Sequence, residues 1–166
     1  MLTIEQFLHS CAHETKIIKN LANHVPESAL DYRPSEGQRS MLEFMQYLTV
    51  TALVPMAWIE DGNWDRAPEI SKDIGSVNLD NFGAAMDRQL EQIRAMAAKL
   101  EGRDLTSEMT QMPWQEPCTV GQFLVDAVIK SYSCYRMQFF LYAKGAGASH
   151  LNSMQCWLGV DPPAEA

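Results

Sequence analysis

Thr119 to Gly147 reads TVGQFLVDAVIKSYSCYRMQFFLYAKGAG. Thr119 and Gln122 have the Thr-x-x-Gln spacing of a helix-opening capping box, and Gly145 and Gly147 are stop signals. Between them apolar residues recur at helical spacing, and the inward face is read as Phe123, Leu124, Ala127, Ser131, Cys134, Tyr135, Gln138 and Tyr142. The spacing predicts a helix from Val120 to about Lys144, amphipathic enough to need partners.

Three more such patterns supply them. The first runs from about Thr3 to His24, with a Thr3/Gln6 capping box. Its stripe is Ile4, Phe7, Leu8, Cys11, Thr15, Ile18, Leu21, Ala22 and Val25, and Pro26 stops it. The second runs from Ser40 to about Glu60, opened by a Ser40/Glu43 box, with a kink or break expected at Pro55. Its apolar face carries Met41, Phe44, Leu48, Thr51, Pro55 and Trp58. Leu42, Leu53 and Val54 make it apolar nearly all round, which points to burial on several sides and to a homodimer interface. Asp61 to Asn78 reads as a loop. The third helix runs from about Leu79 to Leu100, with Phe82, Met86, Gln89, Ile93, Met96 and Leu100 on one side and Gly102 as its cap. An irregular connection, Arg103 to Cys118, leads to the fourth. Strand alternation is weak throughout. Four long amphipathic helices predict an all-α four-helix bundle, a single domain over residues 1–166, with the bundle at about 3–145. The tail, 146–166, holds one short helix, Leu151 to Leu158, capped at Gly159.

Composition narrows the function. The chain has 166 residues, 46% of them hydrophobic and 20% charged, and a formal net charge of -8. Roughly 70% of the extended-chain surface can be buried at this length. Basic residues are scattered, so a nucleic-acid partner is not expected. Met41 to Ile59 is the most apolar run, but Glu43, Gln46 and hydroxyl-bearing residues interrupt it, and no membrane span is expected. Four cysteines (Cys11, Cys118, Cys134, Cys156) form no CxxC pair. With no basic start or apolar leader at Met1, they read as reduced thiols of a cytoplasmic protein.

Two features could carry chemistry. LHSCAHET, Leu8 to Thr15, sets His9 and His13 four apart on one helix face, a metal-ligand spacing. At about 100° per residue that face lies opposite the apolar stripe, so the pair reads either as a polar surface or as a surface metal site. On the fourth helix, Ser131, Tyr135 and Gln138 put polar groups on a buried stripe, with Tyr47 flanking the face of the second. These are either core residues bonded to one another or the lining of a polar pocket. Cys11 and Cys134 on inward faces suggest a soft-metal or thiol site as a further reading, or plain hydrophobes. His24 and His150 sit near helix ends and are weaker candidates.

The sequence resembles the DinB-like (YfiT-like) four-helix-bundle proteins. LANHVPESALDYRPSEGQRSMLEFMQYL, Leu21 to Leu48, is similar to the family's linker and serine-capped second helix. TVGQFLVDAVIKSYSCYRMQFFLYAKGAG is similar to its fourth helix, and LNSMQCWLGVDPP, Leu151 to Pro163, to the tail of some members. The resemblance implies the bundle and often a divalent metal, held by one histidine of the second helix and a His-x-x-x-His pair of the fourth, just before an Arg-x-Gln. Here Arg136-Met137-Gln138 matches the Arg-x-Gln. The ligand positions fall on Tyr47, Ser131 and Tyr135. A hydroxyl must lose a proton of pKa about 10 or higher to bind a divalent metal well. The expectation is therefore no metal and no cofactor, with Tyr47, Ser131 and Tyr135 lining a metal-free pocket supported by Arg136, Gln138, Cys134 and Cys11. Such a pocket suits a small-molecule ligand or an interaction role. The alternative is an enzyme of the family's kind, a metal-dependent hydrolase or a low-molecular-weight-thiol transferase, working through these other residues.

Overall fold

In a computed structural model, residues 2–111 and 116–163 are described. The first helix, α1 (Ile4–Ala22), opens with the complete Thr3/Gln6 capping box. The second pattern divides into α2 (Met41–Leu48), with the complete Ser40/Glu43 box, and α3 (Leu53–Asp61). What reads as a loop contains α4 (Ala67–Ser71) and a 3-10 turn, Ile74–Ser76. The third long helix is α5 (Phe82–Ala98). A two-residue antiparallel ribbon, β1 (Met109–Thr110) with β2 (Cys118–Thr119), pairs Met109 with Thr119 and Thr110 with Cys118. The fourth long helix follows as α6 (Val120–Phe123), a π-helical stretch (Leu124–Ile129) and α7 (Lys130–Gly145). The tail ends in a π-helical turn, Met154–Leu158. The architecture is all-α, a four-helix bundle with long connections.

The second helix breaks upstream of its proline. Pro55 has no N–H and its ring excludes the carbonyl four residues back, so a continuous helix would fail at Thr51. The chain turns at residues 49–52 instead, which puts Pro55 in the first turn of α3, where no N–H is needed. Gln89 of α5, only 1% exposed, bridges the break. Its Oε1 accepts from the Ala52 N–H at 3.1 Å and its Nε2 donates to the Leu48 carbonyl at 2.9 Å. A polar residue on a buried stripe is thereby satisfied by two main-chain groups that the break would orphan.

The core is built from Phe7, Phe44, Phe82, Phe139 and Tyr132, with Ile17, Ile18 and Leu21, all at 0–1% exposure. A large apolar side chain so buried contributes about 1.5–3 kcal/mol. α1 lies against α5 and α7. The apolar Met41–Asp61 segment is long enough by composition to cross a membrane, yet 67% of it is buried inside the bundle.

Phase is where the fourth helix departs from expectation. An unbroken α-helix runs inward at 124, 127, 131, 134 and 138. The π turn inserts one residue: Phe123, Leu124 and Tyr142 are buried as expected, but between them the buried positions are Val128, Tyr132, Arg136 and Phe139, with Ala143 beyond. Cys134 is consequently exposed, while Ser131, Tyr135 and Gln138 flank the buried stripe at intermediate exposure. Thr119 caps the Gln122 N–H, but the Gln122 side chain bonds Asp126 at 2.6 Å instead of closing the box.

Arg136 faces α1 and the tail. Its Nε lies 2.8 Å from Glu14 Oε2, both side chains nearly buried, and Ser133 donates to Glu14 Oε1 at 2.9 Å. The guanidinium also donates to the Cys156 carbonyl and lies 4.7 Å from the Trp157 ring centre. The tail crosses α1 at Gly159, whose φ is +61° and where a Cβ would stand 3.0 Å from Ile17 Cα. Only glycine suits both demands.

Candidate functional site

The site forms where the break between α2 and α3 faces the π-helical stretch and α7. Tyr47, in the last turn of α2, is edge-on to Tyr135 of α7, ring centres 5.2 Å apart, and their hydroxyls are 3.0 Å apart. Both open into a cavity of about 400 Å³ that Ser131 also lines. Its remaining wall is largely apolar: Val50, Val54, Pro55, Trp64, Ile74 and Ala127. The three positions singled out through the resemblance therefore come together.

The hydroxyl pair has countable valences. Two phenols carry two protons, and their mutual bond uses one. The pair thus offers one O–H outward, on the cavity that Ser131 also lines. Burial, and then the bond to Tyr47, push the Tyr135 phenol up to about 12. It stays protonated across the neutral range and acts as a hydrogen-bond donor. The Arg39 guanidinium stands 4.1 Å from the Tyr47 ring centre, a cation–π contact that fixes that ring from outside.

Asp126 contributes the cavity's carboxylate. Hydrogen bonds from Lys130 and then Gln122 hold it below the ordinary aspartate range. It is ionised and already partnered. The π turn that carries Asp126 also aims Ala127 and Ser131 at the cavity, a use of π geometry that recurs at functional sites. Trp64 stacks on Trp58 with ring centres 4.6 Å apart, and the Trp58 indole donates to the Gln111 carbonyl at 2.7 Å.

The supporting residues named from sequence lie elsewhere. Arg136 is engaged by Glu14 and the tail, for the one-residue phase shift turns it from the cavity toward α1. Gln138 does not line the cavity. Cys11 is fully buried, and burial then Glu14 push its thiol up to about 12. Cys134 is exposed, so the two thiols share no buried site. His9 and His13 face outward, and His13 Nε2 is 3.2 Å from the Trp157 carbonyl. His24 Nδ1 meets His150 Nε2 at 3.0 Å while its Nε2 meets Asp161 at 2.7 Å, a chain that ties the tail to the end of α1. Among the described residues, no three His, Cys, Asp or Glu side chains are placed to share a metal ion. Sequence reasoning missed Asp126, Trp64, Val50 and Ile74. Trp64, an aromatic in an otherwise polar loop, was the one visible signal.

No family model matches the sequence, and no curated protein matches it. Among solved structures the chain is similar to a DinB-like protein, YjoA, from Bacillus subtilis. The two share 15% identity over 86% of this chain and 92% of that one, with a TM-score of 0.63. The fold is DinB-like.

Proposed function

We propose that this DinB-like bundle binds a small molecule, without a metal, in the cavity headed by Tyr47, Tyr135 and Ser131. The observation that carries this reading is the opening of the bonded Tyr47–Tyr135 hydroxyls and of Ser131 into one 400 Å³ cavity with a largely apolar wall. Ligand sites have this form: a mostly apolar wall with a few polar groups that fix orientation. Hydroxyl donors on an otherwise largely apolar wall suit an acceptor oxygen, so the ligand class is a small, largely apolar molecule with a carbonyl or similar head.

The donor set does not fit a divalent cation. The Tyr135 phenol is protonated at neutral pH, and the one carboxylate is held by Lys130 and Gln122. No step is therefore routed through a metal. A catalytic reading finds little support, because the cavity has a weak acid in Tyr135 and no unengaged base to restore it. Four unpaired cysteines support a reducing compartment, the cytoplasm.

A thermal-shift survey of small ketones, amides and esters tests the reading, using wild type, Tyr135→Phe and the cavity-filling Ala127→Phe. Compounds that raise the wild-type melting temperature are expected to lose most of that effect in both variants. Equal shifts in all three would place any binding outside this cavity and sink the proposal.

A further inference from the structure

A second cavity, about 540 Å³, lies beside the first and is lined by Leu53, Ile70, Ala85, Ala95 and Met96 among others. The two cavities have Val50 and Ile74 in common. Those two residues are the wall between them, and its halves differ in kind. Val50 is 8% exposed and sits in the helix break, where the main chain on either side is tied to Gln89. Ile74 belongs to the strap that roofs both cavities.

That strap, residues 67–76, contains no buried residue. It is anchored at its two ends. Before it, Arg66 pairs with Asp61 and Glu60 and donates to the Ala57 carbonyl at 3.2 Å. After it, the Gln46 side chain donates to the Val77 carbonyl at 3.0 Å. Between them Ile70 packs on the core from partial exposure, and a segment with no fully buried residue opens at lower free energy than the core beneath it. Ile74 is the movable half of the wall, and Val50 is the fixed half.

We propose that the two cavities are successive compartments of one channel under the 67–76 strap, divided by Val50 and Ile74, and that the ligand is elongated: an acceptor-oxygen head at the tyrosine pair and an apolar chain that passes the divide into the second compartment. This rests on the binding reading above and names its ligand class. The second compartment is lined partly by charged and polar residues, Arg88 and Gln92 among them, and its apolar members Leu53, Ile70, Ala85, Ala95 and Met96 are the surface an alkyl chain would use. Three cations also line it, and two of them, Arg66 and Lys72, are paired with acidic residues.

Straight-chain methyl ketones of increasing length are the probe, titrated calorimetrically into wild type, Ile74→Trp and Ile74→Ala. Each methylene buried raises affinity about four-fold until the accessible space is full. Ile74 is partly exposed on the strap, so neither change burdens the core. Wild-type affinity is expected to keep rising past the length at which Ile74→Trp levels off, with Ile74→Ala levelling off no earlier than wild type. If all three proteins level off at the same chain length, the channel is refuted. Tyr135→Phe separates this from the underlying reading. Unchanged affinity for the shortest ketones in that variant overturns the head-group assignment, whereas the plateau comparison still decides the channel. Failure of every ketone to bind overturns both.

Discussion

Replacing Gln89 by leucine removes the bridge across the break between α2 and α3. The leucine is close in volume, so packing changes little. Two main-chain groups lose their partners: the Ala52 N–H and the Leu48 carbonyl. Ala52 is 1% exposed and Leu48 0%, so water does not replace the amide without rearrangement. Each orphaned group costs about 1–3 kcal/mol. The added apolar burial returns about 1–2 kcal/mol, which at the midpoints leaves a net loss of about 2.5 kcal/mol. For a chain of this size that lowers the melting temperature by about 5–15 °C. Urea unfolding followed by far-UV circular dichroism measures it, and the slope shows whether the transition stays two-state. Gln89→Glu sharpens the test, since a protonated carboxyl accepts and donates as the amide does. Burial raises that glutamate's folded-state pKa above its unfolded value. The sign follows: the bridge is intact below the unfolded value and is lost as pH rises through the folded one. Gln89→Glu should thus come closest to wild type in acid. A leucine variant within about 0.5 kcal/mol of wild type would show that the bridge does not hold the break, and the reasoning fails.

Three further outcomes follow from the geometry. Arg136→Met leaves Glu14 buried without its partner and should cost about 3–5 kcal/mol, most of it recovered by adding Glu14→Leu. Denaturant titration of the single and double variants checks this, and faster proteolysis of the tail should accompany the single change. The Tyr135 phenol lies at about 12 against its ordinary 10.0, so the fold should lose stability as pH climbs between those values. Thermal melts across that range should show a smaller loss in Tyr135→Phe. Finally, Tyr47→His, Ser131→His and Tyr135→His together should create zinc or nickel binding, measurable by calorimetry, because the three positions face one cavity.

The bundle was legible because its helices announce themselves locally. The Thr3/Gln6 and Ser40/Glu43 boxes are complete, and the α1, α2 and α5 stripes pack as their spacing implies. The break in the second helix was legible in Pro55, but its position was not, because the turn is held by a side chain 37 residues from Ala52. The fourth helix was misphased by one residue because nothing local distinguishes a π turn from an α turn. That single slip placed Cys134 inward and hid the Glu14–Arg136 pair. The head of the site, Tyr47, Ser131 and Tyr135, was visible as polar groups on or beside apolar stripes, and the resemblance to DinB-like proteins grouped the three. Its walls did not: Val50 lines it through the helix break, and Trp64 and Ile74 through a segment without long periodicity.

The most direct measurement is a calorimetric titration of a short methyl ketone into protein held in a chelator, repeated after dialysis into zinc. The account predicts saturable binding in the chelator, unchanged by zinc and about ten-fold weaker in Tyr135→Phe, the loss of one hydrogen bond. Binding that appears only once zinc is present would contradict it, and would mean that this cavity works through a metal after all.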